Sequence, residues 1–144
     1  MRASNFKMKL VRVYRRSSAI DGLVRENFGP GESLWSPKCF DRLYKLVDGS
    51  KLLGVCTLQW SGEYWILGDL CTADHGKGHG SELVRRICSK IGEPIWADAT
   101  SPGSVRILEQ NSFRPVNFGP WEVQSSRYFF RNGSSSIPVA RWTV

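Results

Sequence analysis

The stretch TADHGKGHGSELVRRICSKIG, Thr72 to Gly92, joins three glycines at every second position to an amphipathic pattern. Glu82 near the start and Lys90 near the end of that pattern have the charge polarity that a helix dipole favours. The apolar residues recur at helical spacing and are Leu83, Val84, Ile87, Cys88 and Ile91. This spacing predicts a helix that begins just after the glycines, so the glycines form the turn that leads into it.

The glycine segment admits three interpretations: a flexible loop, a metal site or a phosphate-binding loop. Cys71, His75 and His79 are spaced by four, as ligands on one helix face would be, but a helix through these glycines costs roughly 1 kcal/mol per glycine relative to alanine. Glycine allows the positive φ angles that turn successive N–H groups inward, and a helix N-terminus adds further unpaired N–H groups. The phosphate-binding loop is therefore favoured, and no metal ion is expected.

Strands and helices are also predicted on both sides of this segment. The predicted strands are residues 6–14, 42–47, 51–60, 64–72, 93–100, 113–118 and 126–132. One helix ends near residue 28 and has Ser18 as its N-cap, and another covers residues 101–111, with Ser101 as N-cap and Pro102 at the first helical position. Tight turns favour an antiparallel meander over residues 42–72, and the crossover that follows requires strands 64–72 and 93–100 to run parallel.

Composition indicates an ordinary globular protein. The chain has 144 residues, 41% hydrophobic and 23% charged, which suits one domain with a single core. No apolar run is long enough to cross a membrane and the N-terminal segment lacks a signal-peptide core, so a cytoplasmic protein without membrane contact is expected. The cysteines form no CxxC pair and predict reduced, buried thiols; they are Cys39, Cys56, Cys71 and Cys88.

The net charge of +7 is concentrated at the two ends of the chain. Residues 1–16 contain six Lys or Arg and no acid, and residues 127–144 contain three Arg and no acid. Basic ends suit an anionic partner such as nucleic acid, an acidic protein or a polyphosphate cofactor, and they equally suit a solvated surface that keeps the protein soluble. The N-terminal segment contains no recognisable nucleic-acid-binding motif.

Two segments resemble the GCN5-related N-acetyltransferase family. LCTADHGKGHGSELV (70–84) is similar to the acyl-CoA pyrophosphate motif Arg/Gln-x-x-Gly-x-Gly/Ala, with His75, Gly78 and Gly80 at its marked positions. SPGSVRILEQNSFRPV (101–116) is similar to the segment Asn-x-x-Ala-x-x-Leu-Tyr-x-x-x-Gly-Phe, and its residues at the marked positions are Ser101, Ser104, Ile107, Leu108, Ser112 and Phe113.

The resemblance implies an α+β fold. Its centre is a mixed, mostly antiparallel twisted sheet with a splayed parallel strand pair, and helices flank the sheet. The order of elements is similar to that family from about residue 6 to 131, which predicts one domain over residues 1–133 and a C-terminal tail over residues 134–144.

The resemblance also implies a function. The protein is expected to transfer an acetyl or other acyl group from acetyl-CoA to an amine of a protein, a small molecule or a nucleic acid by direct attack, as a monomer or homodimer. Backbone groups of three residues would bind the pantetheine arm: Leu70, Cys71 and Thr72. The pyrophosphate would be bound by the loop residues His75, Gly76, Lys77, Gly78, His79, Gly80 and Ser81, and a backbone N–H near Leu70 or Cys71 would stabilise the oxyanion.

The catalytic residues that the resemblance implies are less complete than the binding residues. The candidates for the general base are Glu63, Asp69 and Asp98. Leu108 occupies the position of the family's general-acid tyrosine and is expected in the core, so the thiolate would be protonated by water, Ser104 or Tyr128. Cys71 as an acyl-carrying nucleophile is a further alternative. With His75, Ser101 and Leu108 departing from the pattern, the rival hypothesis is a module of the same fold that binds CoA, nucleic acid or a protein without turnover.

The six tryptophans are many for a chain of this length. Trp35 and Trp60 are candidates to line an acceptor pocket, whereas Trp65 and Trp96 are expected to pack as strand core.

Overall fold

The computed structural model describes residues 7–15, 17–29, 41–60, 62–98, 101–116 and 128–131. Within these ranges the strands are β1 (Met8–Val13), β2 (Arg42–Asp48), β3 (Lys51–Trp60), β4 (Trp65–Thr72), β5 (Ile95–Asp98), β6 (Arg114–Val116) and β7 (Tyr128–Arg131). The helices are α1 (Ser18–Phe28), α2 (His79–Ile91) and α3 (Pro102–Gln110).

All of these strands belong to one sheet, in the order β1-β2-β3-β4-β5-β7-β6. Every neighbouring pair is antiparallel except β4 and β5, which run parallel. The predicted α+β architecture, the meander and the parallel pair are therefore confirmed. The parallel pairing extends only from Trp65 opposite Ile95 to Leu67 opposite Ala97, while β4 continues to Thr72.

The helices cover both faces of the sheet. The apolar stripe of α2 packs into the larger core cluster, where Leu83, Val84 and Ile87 are completely buried. On the other face α1 packs through Ile20 and its neighbours into a second cluster that includes Cys71 of β4. Successive residues of a strand face opposite sides of a sheet, so β4 contributes to both clusters and lies at the centre of the molecule.

Several predicted boundaries differ from the observed ones. The N-cap of α1 is Ser17, whose hydroxyl accepts a hydrogen bond from the Ile20 N–H, and the prediction of Ser18 was one residue late. Helix α2 begins at His79, inside the glycine segment, because one glycine in the first turn is tolerated when the rest of the helix packs well. Strand β5 is shorter than predicted at its start, because Glu93 and Pro94 precede its first paired residue.

Three of the four cysteines lie in the described residues, and all three are buried free thiols: Cys56, Cys71 and Cys88. Cys39 and the proposed tail over residues 134–144 lie outside the described residues. Among the helices described here, none has the length and apolar character needed to cross a membrane.

Candidate functional site

The parallel pair β4 and β5 separates just where the predicted site begins. Within the described residues the pairing of β4 with β5 ends at Leu67 and Ala97, and from Gly68 onward the described strand that pairs with β4 is β3. A gap therefore opens beside the second half of β4, and this gap leads directly to the glycine segment.

Leu70 directs its backbone polar groups toward that gap. The Ala73 N–H donates to the Leu53 carbonyl at 2.8 Å, and hydrogen-bonded pairs alternate along an antiparallel ladder. The next hydrogen-bonded pair is therefore Val55 with Cys71, whereas Leu70, opposite Cys56, is a non-hydrogen-bonded position. Its N–H and C=O consequently face away from β3, and the Cys71 N–H is used within the sheet.

The corresponding groups of Thr72 also face away from β3, but its carbonyl already has a partner. The Asn27 side chain of α1 donates to the Thr72 carbonyl at 3.2 Å and to the Leu23 carbonyl at 2.9 Å. This contact ties α1 to the end of β4. Of the residues predicted to bind along the strand, Leu70 is thus the one whose N–H and C=O both turn to the gap.

A β-bulge in β4 is the reason that the Leu70 N–H and C=O face away from β3. Gly68 and Asp69 together oppose the single residue Thr57 of β3, because the register shifts between Cys56 and Leu58. The buried Thr57 hydroxyl accepts a hydrogen bond from the Asp69 N–H at 2.8 Å. A Cβ at position 68 would lie 2.3 Å from that hydroxyl oxygen, so only glycine fits there. Neither Thr57 nor Gly68 stands out in the sequence, because their pairing depends on register.

The glycine segment has the conformation of an anion-binding loop. Gly76 and Gly78 have φ of 86° and 80°, a region that L-residues with a Cβ rarely adopt. A Cβ at either position would meet no described atom within 4 Å, so among the described residues the space beside these two glycines is open. The loop is fastened by an ion pair of 2.9 Å between Lys51 of β3 and Asp74, and this hydrogen bond lowers the pKa of the Asp74 carboxyl.

Helix α2 begins without a side-chain cap. Its N-cap is Gly78, and its first backbone bond runs from the Glu82 N–H to the Gly78 carbonyl. The N–H groups of the first turn therefore lie at the positive end of the helix dipole with no side-chain acceptor in the cap. Gly80 serves a different purpose, since a Cβ there would lie 2.8 Å from the Ile107 side chain of α3.

Hydrogen bonds from Asn111, at the end of α3, position the first turn of α2. The Asn111 side-chain amide donates to the Ile107 carbonyl at 2.9 Å and to the carbonyl and hydroxyl oxygens of Ser81 at 3.4 and 3.3 Å. The Asn111 carbonyl in turn accepts from Arg131 Nε at 3.2 Å. The first turn of α2 is thus positioned by packing and hydrogen bonds that come from α3 and β7.

The alternative metal ligands do not meet. Cys71 is buried on the face covered by α1, whereas His75 is exposed in the loop and His79 is the first residue of α2. No group of three or more metal-ligating side chains is formed within the described residues. Lys77 is also exposed in the loop.

The Cys71 thiol is not activated. Burial and the nearby Asp69 raise the pKa of this thiol to about 12, so it is protonated at neutral pH. A thiol nucleophile reacts as the thiolate, so a buried and protonated Cys71 thiol gives no support to Cys71 as an acyl carrier.

The three candidate bases are in different places. Asp69 is exposed at the bulge, beside the gap. Glu63 is exposed in the bend before β4, at the opposite end of that strand. Asp98 ends β5 just past Ala97, the last described residue paired with β4, and its own backbone pairs with Tyr128 of β7; its side chain lies outside the described set. The structure brings Asp69 and the Asp98 backbone to the splay and leaves Glu63 away from it.

The predicted acid positions have structural roles. Ser104 forms a reciprocal capping box with Ser101, in which the Ser104 hydroxyl accepts from the Ser101 N–H at 3.0 Å and the Ser101 hydroxyl accepts from the Ser104 N–H at 3.2 Å. The Ser104 hydroxyl also donates to the Ser101 carbonyl at 2.8 Å. Leu108 is 4% exposed and lies in the main core, as expected. The Tyr128 side chain lies outside the described residues.

The tryptophans in the described residues belong to the body of the sheet. Trp65 and Trp96 are buried, as expected. Trp60 packs partly buried against the main core, with its ring 4.9 Å from that of Trp65. Trp35 lies outside the described residues.

Comparisons with known proteins support the fold. No protein-family model and no curated protein matches the sequence. The chain is similar in structure to an aminoglycoside 6'-N-acetyltransferase from Enterococcus faecium, with TM-score 0.67, 13% identity and coverage of 90% of this chain and 99% of that one. The chain is also similar in structure to "histone acetyltransferase HPA2 and related acetyltransferase" from Corynebacterium glutamicum. The TM-score is 0.64 at 14% identity, with coverage of 92% of this chain and 99% of that one.

A Bacillus subtilis acetyltransferase in complex with CoA is also similar in structure. Its TM-score is 0.59 at 13% identity, with coverage of 86% of this chain and 96% of that one. Each of these alignments covers at least 86% of this chain and at least 96% of the other one. The chain therefore has the fold of the GCN5-related N-acetyltransferases.

Proposed function

We propose that this protein is an N-acyltransferase that uses acetyl-CoA as donor and an amine of a protein, a small molecule or a nucleic acid as acceptor. One observation carries the proposal: the splayed second half of β4 turns the Leu70 backbone to a gap and runs straight into a positive-φ glycine loop and an uncapped helix N-terminus. A strand edge followed by an anion-binding turn suits a ligand with an amide-containing arm and a pyrophosphate.

The chain's own groups fit that donor. The Leu70 C=O and the Thr72 N–H, which both face away from β3, can pair with the amides of a pantetheine arm, and the N–H groups between Gly76 and Ser81 can bind the pyrophosphate. Since Gly76 and Gly78 leave open space over the loop, phosphate oxygens can approach the backbone. Lys77 adds a positive charge to the same loop.

Direct attack on the thioester is the chemistry that these residues support. A C–N bond forms between the acyl carbon and the amine, the C–S bond breaks, and the amine proton must be accepted by the protein. We assign that role to Asp69, and we assign stabilisation of the oxyanion to the Leu70 N–H. We assign protonation of the leaving thiolate to water or to Tyr128, because Leu108 has no proton to give and the Ser104 hydroxyl donates to the Ser101 carbonyl.

The second candidate is a module of the same fold that binds CoA without turnover. Its support is the buried Leu108 at the position of the family's tyrosine. The two candidates share the donor site and differ in whether the acyl group leaves.

Calorimetric titration with acetyl-CoA tests both candidates, since an absence of binding at millimolar ligand would exclude them together. If acetyl-CoA binds, release of free thiol in the presence of an amine panel identifies the transferase. Binding without thiol release from any amine supports the module.

Substitution of each candidate base sharpens the assignment. We expect Asp69→Asn to lower kcat about 100-fold without changing the Kd for acetyl-CoA, because the carboxylate meets the amine and not the donor. Glu63→Gln and Asp98→Asn are measured in parallel. A large loss of kcat in one of these variants, with Asp69→Asn active, would move the base to that residue.

A further inference from the structure

A second groove lies at one edge of the described sheet, away from the splay between β4 and β5. It has a volume of about 600 Å³ and runs between α2 and β1, which is an edge strand of the described sheet. Three strand spacings separate β1 from β4, which is roughly 14 Å at about 4.8 Å per spacing. The groove is therefore distinct from the proposed acyl-CoA site.

The outer edge of β1 offers backbone hydrogen-bonding groups to this groove. The Gly49 N–H donates to the Lys7 carbonyl at 3.5 Å, so alternate residues from Lys7 onward bond to β2 and the intervening ones face outward. Arg86 agrees with this assignment, because its Nη1 donates to the Met8 carbonyl at 3.2 Å. The next outward position is Leu10, whose N–H and C=O lie along the edge that no described strand covers.

The groove is apolar at its floor and cationic at its wall. Met8 and Leu10 pack partly buried against the main core. The wall contributed by α2 carries Arg85, Arg86 and Lys90. The two arginines share the Glu82 carboxylate, so the wall retains a net positive charge.

The positive charge of the groove disfavours a second copy of this chain, and the open backbone edge of β1 favours a peptide over a nucleic acid. A second copy of this chain, paired through the same groove about a two-fold axis, would bring the same cations against the wall, and like charges repel. A nucleic-acid phosphate backbone accepts hydrogen bonds but donates none, and would leave the Leu10 carbonyl without a partner. An extended peptide satisfies both the donor and the acceptor of an open strand edge.

We propose that the groove between β1 and α2 binds an acidic peptide in extended conformation. The peptide adds as a strand beside Leu10, and carboxylates on one of its faces meet Arg85, Arg86 and Lys90. The occupant can be a segment of an acceptor protein or of a regulatory partner. This inference does not depend on whether the protein binds acetyl-CoA.

Fluorescence anisotropy with a short labelled peptide of alternating Glu and Val tests the groove in the full chain without CoA. Saturable binding is expected, and Arg85→Glu with Lys90→Glu should weaken it about tenfold. The matched control is Arg25→Glu with Arg114→Glu, which makes the same change in net charge at exposed positions on α1 and on β6 at the other edge. The control should bind like the parent.

Two results would overturn the proposal at this stage. One is an absence of saturable binding by the parent. The other is an equal loss of affinity in the groove variant and the control, which would show attraction to the net charge alone. Circular dichroism of both variants verifies that they are folded.

Amide hydrogen exchange measured by NMR tests the strand-like mode of binding. The Leu10 amide should exchange several-fold more slowly when the peptide is bound, because its N–H gains a partner. Unchanged exchange at Leu10 would overturn the addition of a strand. A single-stranded oligonucleotide of equal charge serves as competitor, and tighter binding of the oligonucleotide than of the peptide would assign the groove to nucleic acid instead.

Discussion

Helices α2 and α3 begin in opposite ways, although both follow a strand of the same parallel crossover. The start of α3 is closed by its own side chains, with Ser101 and Ser104 in a capping box and Pro102 in the first turn. The start of α2 has Gly78 at the N-cap, in a left-handed conformation, and no side-chain cap. A capping side chain typically contributes about 1 kcal/mol to helix stability.

The difference shows which helix terminus is available to a ligand. In α3 the serine side chains already satisfy first-turn donors, so an anion would have to displace them. In α2 the corresponding donors are presented to open space next to two positive-φ glycines. An anion that binds at the start of α2 would therefore stabilise the helix in place of the missing side-chain cap.

The largest effect is expected from a negative charge at the first residue of α2. His79→Glu should leave the free energy of unfolding unchanged or raise it by about 0.5 kcal/mol, because an acid at a helix N-terminus is favourable. The same charge should weaken acetyl-CoA binding about 30-fold through repulsion of the pyrophosphate. Thermal unfolding and calorimetry measure the two quantities.

Ser18→Glu is the matched control, since Ser18 is the first residue of the serine-capped helix α1. It should have a similar effect on stability and none on acetyl-CoA affinity. If His79→Glu binds acetyl-CoA within threefold of the parent, the pyrophosphate lies elsewhere.

A smaller effect is expected when only the loop conformation is disturbed. Gly78→Ala should destabilise the fold by about 1 kcal/mol, because a left-handed conformation is unfavourable for alanine. It should also weaken acetyl-CoA binding about tenfold as the loop relaxes. Gly49→Ala provides the comparison, since Gly49 also has positive φ (61°) and open space around it but lies in the β2–β3 turn. Equal affinities in the two variants would contradict the loop assignment.

The smallest effect on binding is expected at the capped helix. Ser101→Ala should lower the free energy of unfolding by about 1 kcal/mol and leave the affinity for acetyl-CoA within twofold of the parent. Ser17→Ala removes the cap of α1 and should behave in the same way. Chemical denaturation measures the stability of both variants. A loss of affinity confined to Ser101→Ala would show that the start of α3 also contacts the donor.

Local signals in the sequence were sufficient to predict the elements around the site. The spacing of Leu83, Val84 and Ile87 predicted α2, and the glycines before it predicted the positive-φ loop. Ser101 followed by Pro102 predicted the start of α3 correctly. Each of these features depends on residues within a few positions of one another.

Contacts between distant segments could not be predicted in this way. Thr57 and Asp69 meet only because β3 and β4 pair in a register with a bulge. Gly80 looked like a third loop glycine, but its position inside α2 reflects close packing against Ile107 of α3. Asn27 and Asn111 were not identified because their partners lie on other elements.

The Thr57–Gly68 contact has a consequence for how this sequence can diverge. A side chain at position 68 would collide with the hydroxyl that holds the Asp69 N–H, and loss of the hydroxyl would leave that N–H without its partner. The two positions are therefore constrained jointly. Related chains that keep the bulge are expected to retain a hydroxyl residue and a glycine as a covarying pair, which offers a two-position signature for recognising distant members when overall identity is low.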